Sequence, residues 1–401
     1  MKQELINTYN SIKNLNLPIK VPTNTFNVNF IEGAFIEILG KQNKQYRVIM
    51  KDLNNNKIIH NTIIGNNMWT RTNIKYFIRW EIKVYDIENN ELVFEHTYNP
   101  KGKRVYIHLD SDAIGDTLAW FPYVSEFKKQ HKCDVIVSTF KNNWFKDLYP
   151  ELEFVKPGDS VPNLYAMYGI GWFYKGEGDN KTFDEQRIPC DFKPLPLQST
   201  ATKILNLNHK EVKPQINFLD TGRPIEEKYV VIAPHASAHA KYWNYPGGWQ
   251  KIIDILNEKG YKVMMITHEP LNDEWHDSKL GGTLLNVINE TGDYPIEKRM
   301  NQIKHAEAFI GVGSGLSWLA WAINTPVVMI SGFSESYTEF EDCERVSTPE
   351  GNCTGCFNRE WLNPGDWEWC PDHKDTPRQF ECTKSIKPSQ VLTSIQNLLH
   401  F

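Results

Sequence analysis

The sequence predicts an α/β protein with two halves, each built on a parallel sheet, and an antiparallel β domain in front of them. Between Phe26 and Tyr98, short segments alternate apolar and polar residues and are separated by turns, which is typical of antiparallel strands. After Lys103, apolar strands alternate with helical segments, as in a parallel sheet covered by helices. The same alternation restarts at Lys228, which indicates a second Rossmann-like half.

The composition is that of an ordinary globular protein. The chain has 401 residues, 40% of them hydrophobic, which is enough for two or three domains. Its net charge of −5 argues against a nucleic-acid partner, because such proteins concentrate Lys and Arg on a basic surface. The N-terminus has no apolar core of signal-peptide length, and nowhere do about 18 apolar residues run together. We therefore expect no membrane span and a cytoplasmic location.

The predicted domains follow from these changes in pattern. They are an N-terminal arm at 1–25, an antiparallel β barrel or sandwich at 26–100, a first Rossmann-like half at 101–225, a second at 226–342, a cysteine finger at 343–385 and a C-terminal helix at 386–401. Within the first half, an aromatic segment at 163–180 is predicted to form a β-hairpin. The favoured interpretation is that its rings cover a core edge or a subunit interface, and the alternative is that they lie beside a cleft.

The turn after the first strand of the α/β region is the first candidate site. The segment RVYIHLDSDAIGDTLAWFP reads as a strand, a tight turn and a helix predicted over 115–131. Ligands of open α/β sheets collect at the carboxyl ends of strands, where the next helix offers free N–H groups. Asp116 lies at such an edge. The alternative is that Asp110, Asp112 and Asp116 are only turn and cap residues.

Two loops of the second half are suited to bind phosphate. Gly311-Val312-Gly313-Ser314-Gly315 follows an apolar strand and opens a helix, so its N–H groups and the helix dipole can hold a phosphate or diphosphate. Close packing of helix on strand explains such a loop nearly as often. Lys241 lies in the polar loop after the strand YVVIAPHAS, where it can supply positive charge to a diphosphate, although a lone Lys is usually a solvated surface charge.

The cysteines are concentrated near the C-terminus. Cys353, Cys356, Cys370 and Cys382 give the spacing C-x2-C-x13-C-x11-C, and in a reducing compartment such clustering favours a metal over disulfides. Four thiolates at this spacing suit a tetrahedral site for zinc or a single iron, with a structural role. Replacement of one ligand by His373 and a set of free thiols are the open alternatives.

These motifs occur together and in a fixed order. A GD turn in DAIGDTLAWFPYV, then KYWN and then GVGSGLSWLAWA resemble the ADP-heptose glycosyltransferases of the GT-B fold. The sequence is still more similar to the bacterial autotransporter heptosyltransferases, with which the β domain, the segment GLSWLAWAINTPVVMISGF and the cysteine finger also align. Trp318, where the lipopolysaccharide enzymes generally have His, sides with the autotransporter group.

The resemblance implies a GT-B glycosyltransferase that transfers heptose from ADP-heptose to Ser or Thr hydroxyls of an autotransporter adhesin-like acceptor protein. It makes Asp116 the catalytic base and Lys241 a catalytic cation that binds the donor phosphates. The other donor-binding residues that it implies are Gly313, Ser314, Gly315, Leu316 and Ser317. It also implies one iron per chain in the four-Cys site, with zinc second, and a homo-oligomer. The alternatives are another nucleotide sugar or a glycan acceptor, and a non-catalytic scaffold that binds a sugar nucleotide.

Overall fold

The computed structural model describes residues 24–177, 181–361, 368 and 370–401, and the chain forms two compact units. The first contains residues up to 74 together with Ile78–Asn99, and the second contains Lys75–Phe77 and Pro100–Phe401. The predicted arm at 1–25 lies outside the described residues, apart from its last two, which begin the first strand. In the part of the chain that the structure describes, no helix is long and apolar enough to cross a bilayer.

The first unit is built from antiparallel sheets, as the sequence predicted. The three-stranded sheet contains, in order across it, Asn24–Asn29, Phe35–Gly40 and Met68–Arg71. The four-stranded sheet contains Lys57–Gly65, Gln45–Asp52, Trp80–Asp86 and Leu92–Thr97. Burial alternates along the strands, so that Trp80, Ile82 and Val84 point into the core while the residues between them are more accessible.

The second unit contains two parallel sheets. In order across the first sheet, the strands are Glu153–Phe154, Asp134–Ser138, Arg104–Leu109 and Ala166–Ile170. In order across the second sheet, the six strands are Ile288–Asn289, Lys262–Met265, Tyr229–Ala233, Phe309–Val312, Val327–Ser331 and Glu344–Ser347. The sequence order of these six is 3-2-1-4-5-6, the doubly wound order of dinucleotide-binding folds. The prediction of an α/β protein with two Rossmann-like halves is thus confirmed.

The aromatic segment predicted as a hairpin at 163–180 has a different structure. Its strand Ala166–Ile170 is the edge of the first parallel sheet and pairs with Arg104–Leu109. The later strand Tyr174–Lys175 makes a short antiparallel pair with Thr182–Phe183, and residues 178–180 lie outside the described part. The prediction was wrong because alternating burial indicates a strand but does not say which partner it has.

Helices cover the sheets of the second unit. In chain order they are Ile114–Trp120, Pro122–His131, Ser199–Ile204, Gly248–Glu258, Glu274–Lys279, Ile296–Lys304, Gly315–Ala322, Cys356–Arg359, Glu381–Lys384 and Pro388–Leu399. The single helix predicted over 115–131 is therefore divided at Pro122, which has no N–H to donate to the preceding turn but fits the first position of a new helix. The last helix packs Val391 and Ile395 into the core of the second half.

Each parallel sheet reverses its strand order at one place. The reversal lies between Arg104–Leu109 and Ala166–Ile170 in the first sheet, and between Tyr229–Ala233 and Phe309–Val312 in the second. Ligands of open α/β sheets bind outside the carboxyl ends of the strands at such reversals. The loops that leave these four strands therefore define where a functional site is expected.

Candidate active site

Asp116 lies in the loop and helix that follow the strand Arg104–Leu109. It occupies the first turn of Ile114–Trp120, where its carboxylate is near the positive end of the helix. The Ser111 hydroxyl donates a hydrogen bond of 2.8 Å to Asp116 Oδ2 and itself accepts one of 3.2 Å from the Ala113 N–H. The Trp172 side chain, from the loop after Ala166–Ile170, also donates to the Asp116 carboxylate.

Opposing influences act on the pKa of Asp116. Burial raises this pKa above its usual value, and the nearby Asp112 adds to the rise. The hydrogen bonds from Ser111 and Trp172 and the positive charge of Lys241 lower it, but burial is the largest influence. A carboxylate whose pKa is raised toward neutrality is better suited to accept a proton from a hydroxyl.

Lys241 lies in the loop after the strand Tyr229–Ala233, at the end of the short 3-10 turn His239–Lys241. Burial lowers the pKa of this ammonium group, while the carboxylates of Glu339 and Asp116 raise it. The charges of Lys241 and Asp116 act on each other, so these two groups, which are far apart in sequence, lie near each other in the structure. The Lys241 Nζ atom also lies 5.9 Å from the ring centre of Phe357.

The rest of the KYWN motif holds this loop in place. Trp243 is 1% exposed, and its Nε1 donates to the Ile386 carbonyl at 2.9 Å. A Cβ on Gly248 would lie 2.8 Å from the Trp243 ring, so glycine is needed there. The Asn244 amide donates to the Tyr242 carbonyl at 2.9 Å and to the Thr383 hydroxyl at 3.0 Å. The Trp and Asn of the motif are thus structural, and they fix the backbone that carries Lys241.

The glycine loop meets the Asp116 turn directly. A Cβ on Gly315 would lie 2.9 Å from Ile114 Cβ, so only glycine allows the two helix starts to approach this closely. The Ser314 hydroxyl is buried and has no hydrogen-bond partner among the described residues, which leaves it available to a ligand at the start of the helix Gly315–Ala322. Leu316 is half-buried in the first turn of that helix.

Ser317 differs from its predicted neighbours in the loop. It is fully buried, and its hydroxyl donates to the Val312 carbonyl at 2.6 Å. This hydroxyl therefore stabilises the loop. A role of Ser317 in donor binding stays a prediction, in which its side chain would hold the loop whose N–H groups meet the ligand.

Glu339 is a site residue that the sequence analysis missed. The residue is 8% exposed, and its carboxylate accepts hydrogen bonds from Ser334 Oγ at 2.7 Å and from Arg345 Nη1 at 2.9 Å. The carboxylate lies beneath Gly313, where an added Cβ would be 2.7 Å from Glu339 Oε1. Its charge also acts on Lys241. The sequence did contain one indication of Glu339, because a polar segment follows directly after the strand Val327–Ser331, at the carboxyl edge of the sheet.

Trp172 was also missed as a site residue, because its aromatic segment was interpreted as covering a core edge or an interface. Its ring lies among aromatic neighbours, 6.1 Å from Trp120, 6.3 Å from Phe192 and 6.4 Å from Phe357 between ring centres. Its hydrogen bond to Asp116 places this part of the aromatic segment next to the candidate base.

The finger cysteines form a cluster of thiols. The ligand atoms of Cys353, Cys356 and Asp372 lie within 4.8 Å of one another. Cys370 and Cys382 are buried, and the charge of Cys370 acts on both Cys353 and Cys382. None of the seven cysteines forms a disulfide, and the carboxylate that joins Cys353 and Cys356 is that of Asp372. A group of buried sulfur atoms beside one carboxylate is a donor set that fits a thiophilic metal.

The chain is similar to known heptosyltransferases. Residues 193–339 match the family model of glycosyltransferase family 9 (heptosyltransferase). The autotransporter heptosyltransferase TibC of Escherichia coli O78:H11 is 36% identical over 342 residues, which cover 83% of this chain and 80% of TibC. BimC of Burkholderia thailandensis, an inactive autotransporter heptosyltransferase, is 29% identical over 358 residues, covering 88% of this chain and 82% of BimC.

Solved structures are similar over nearly the whole chain. The crystal structure of TibC from enterotoxigenic E. coli H10407, an iron-containing dodecameric glycosyltransferase, matches with a TM-score of 0.82 and 30% identity, covering 96% of this chain and 98% of that chain. The structure of TibC in complex with ADP-D-beta-D-heptose matches with a TM-score of 0.81 and 31% identity, covering 96% and 99%.

The chain has two Rossmann-like halves, and Asp116 at the strand-order reversal of one lies near Lys241 at the reversal of the other. With the similarity to TibC, this arrangement defines a glycosyltransferase with a GT-B-like fold. The extent of the similarity to TibC defines the family more closely. The chain belongs to the autotransporter heptosyltransferases.

Proposed function

We propose that this protein transfers heptose from ADP-heptose to Ser or Thr hydroxyls of an autotransporter adhesin-like acceptor protein. The observation that carries the proposal is that Asp116 and Lys241 face each other where the two strand-order reversals meet. The donor is supported by the similarity to TibC, a protein whose structure holds ADP-D-beta-D-heptose. The acceptor follows from membership in the family.

In the proposed reaction, Asp116 takes the proton of the acceptor hydroxyl as its oxygen attacks the anomeric carbon of heptose. The new glycosidic bond forms while the bond between the sugar and the diphosphate breaks, and ADP leaves with the bonding electrons. Lys241 and the N–H groups of Ser314, Gly315 and Leu316 stabilise the charge that develops on the diphosphate. Burial lowers the pKa of the Lys241 ammonium group, and the negative charge of the buried Glu339 carboxylate opposes this effect and favours the protonated form.

The transfer can be tested by co-expressing the chain with an autotransporter acceptor and a source of ADP-heptose. Mass spectrometry of tryptic peptides should then show the mass of heptose on Ser and Thr residues. Parallel reactions with ADP-glucose and with a glycan acceptor address the first alternative. Heptose on glycans alone, or transfer from ADP-glucose alone, would contradict the proposed substrates.

A scaffold without activity is the second alternative, and BimC shows that inactive relatives exist. In this chain, the two residues that the proposal requires, Asp116 and Lys241, lie near each other, which supports an enzyme. Release of ADP by the purified chain, dependent on Asp116, separates an enzyme from a scaffold, since a scaffold would bind ADP-heptose without turning it over.

We infer that Cys353, Cys356, Cys370 and Cys382 hold one iron per chain, with zinc as the second choice. The similarity to iron-containing TibC supports iron, and the clustered thiols support a site with sulfur ligands. When bound, the metal would link the segments that carry the four thiols, and we assign it no part in transfer. Elemental analysis of the purified protein distinguishes iron from zinc.

We also propose a cytoplasmic homo-oligomer. Clustered free thiols require a reducing compartment, and TibC is dodecameric. The antiparallel β unit is assigned to assembly or acceptor binding, with a structural spacer as the alternative. Light scattering on the full chain measures the subunit number.

Lys241→Met should raise the KM for ADP-heptose and lower kcat, because the ammonium group meets the diphosphate before and during the reaction. The loss of one charged hydrogen bond of this kind lowers the affinity for the donor by about 10-fold to 100-fold. Calorimetry with ADP measures the loss directly. Lys251→Met, on the exposed face of the helix Gly248–Glu258, is the matched control and should bind ADP normally. Unchanged ADP affinity in the Lys241 variant would contradict the role.

Trp172→Phe should shift the acidic limb of the pH profile to higher pH by roughly one unit. The substitution keeps an aromatic ring but removes a donor that favours the ionised Asp116, so the pKa of this carboxylate rises. Since Asp116 acts in its ionised form, activity is lost at low pH and recovered at high pH. Ser111→Ala removes the other donor and should shift the limb in the same direction. If the maximal activity fell but the midpoint of the acidic limb of the pH profile stayed the same, Trp172 would have a packing role only.

A further inference from the structure

Next to Asp116, three aromatic side chains form an exposed surface that the proposed reaction does not yet use. Tyr174 and Phe183 are paired across the short antiparallel ladder, and their rings stack with centres 5.4 Å apart and planes 15° apart. Trp361 packs its edge against them, 4.8 Å from Phe183 and 5.8 Å from Tyr174. Tyr174 and Trp361 are 38% and 37% exposed. We call these three residues the aromatic platform.

The platform is continuous with the candidate base. Tyr174 follows Trp172, which donates to Asp116, by two residues. The Trp172 ring also stacks on the Phe183 ring of the platform, with centres 6.4 Å apart and planes 19° apart. A molecule that presents a hydroxyl group to Asp116 therefore has the platform beside it.

Neighbouring side chains hold the rings of the platform in place. The Lys181 ammonium lies 4.5 Å from the Tyr174 ring centre, and the Lys193 ammonium lies 4.0 Å from that of Trp361. The Lys193 carbonyl also accepts from the Asn358 amide at 2.7 Å, which ties the helix that precedes Trp361 to the first half. Rings fixed in this way bind a partner with little loss of conformational entropy.

The platform and the donor-binding groups come from different parts of the chain. Lys241 and the glycine loop belong to the second half, whereas Tyr174 and Phe183 follow the edge strand Ala166–Ile170 of the first. In the proposed reaction, the second half binds the diphosphate of the donor. The aromatic platform, which lies beside the base that accepts the proton, is then placed to bind the molecule that brings the attacking hydroxyl group.

We propose that the aromatic platform binds the extended polypeptide segment on either side of the acceptor Ser or Thr. This inference rests on the proposed function, because it takes a protein hydroxyl as the nucleophile. Exposed Tyr and Trp rings are enriched where proteins bind one another, and extended segments dock on aromatic-lined surfaces. The alternative, a platform that holds the heptose ring of the donor, is an outcome of the test.

The test compares Tyr174→Leu and Trp361→Leu with Tyr294→Leu in the full chain. Tyr294 is a matched control, since it is 45% exposed and has the Lys298 ammonium 3.6 Å from its ring centre. A Ser- and Thr-containing peptide from an autotransporter is the acceptor. We expect each platform variant to raise the KM for the peptide about tenfold, as for one interface anchor. The KM for ADP-heptose and the slow hydrolysis of the donor in water should stay unchanged.

Two results would overturn the inference. A raised KM for ADP-heptose with an unchanged KM for the peptide would assign the platform to the donor sugar, and unchanged values for both would leave it without a role in binding. If the wild type fails to transfer heptose, the proposed function fails separately. Fluorescence anisotropy of the labelled peptide with the wild type and the platform variants then still measures whether the rings bind it. Equal melting temperatures show that the variants are folded.

Discussion

Asp116→Asn is expected to lower kcat for heptose transfer by about 10²- to 10⁴-fold, the usual contribution of a positioned base. The amide keeps the shape of the side chain and an oxygen that accepts from Ser111. It has no basic oxygen to take the proton of the attacking hydroxyl. Because the proposed diphosphate site lies in the second half, the affinity for ADP should change little. Initial rates with saturating ADP-heptose and peptide measure the loss, and calorimetry measures ADP affinity.

The neighbouring carboxylates are the controls for this substitution. Asp110 and Asp112 lie in the same turn but are exposed, whereas Asp116 is half-buried and held by hydrogen bonds. Asp110→Asn should be nearly silent, and Asp112→Asn should lower the pKa of Asp116 slightly, because one nearby negative charge is removed. A dead Asp112 variant beside an active Asp116 variant would move the base to the other carboxylate.

The α/β class was predictable because the central strands of the second half are apolar runs that are buried at every position. Tyr229–Ala233 is buried at all of its positions, as expected for a strand covered by helices on both faces. The aromatic edge strand Ala166–Ile170 lacked such a signal, since its burial alternates like that of a hairpin strand. Its partner is set by packing across the sheet, which a local pattern does not contain.

The site was predictable where backbone geometry dictates the residue type. Gly315 is required because the helix start of the other half is in contact with it, and Gly313 because the Glu339 carboxylate lies beneath it. Glu339 and Trp172 were not predictable in the same way. Each acts on a residue that is distant in sequence, Lys241 and Asp116 respectively, and the local pattern of its own segment does not specify that residue.

Replacing Cys353, Cys356, Cys370 or Cys382 by Ser is expected to lower metal content and thermal stability together. The binding energy of a structural metal is folding energy when the site is not formed in the unfolded chain. A loss of several kcal/mol corresponds to a fall in Tm of roughly 10 °C for a domain of this size. Elemental analysis and calorimetric melting of each variant measure the two effects on the same sample.

The remaining cysteines provide the controls. Cys190 is exposed and Cys133 is buried outside the cluster, so Cys190→Ser and Cys133→Ala should keep the full metal content. The rate of heptose transfer is a second readout, because the ring of Phe357 packs against the cysteine cluster and also lies near Trp172 and Lys241. Loss of the metal should therefore also weaken transfer, although the thiols take no part in the reaction. A metal-free protein that melts at the wild-type temperature would contradict a structural site, because folding would then not depend on the ligands.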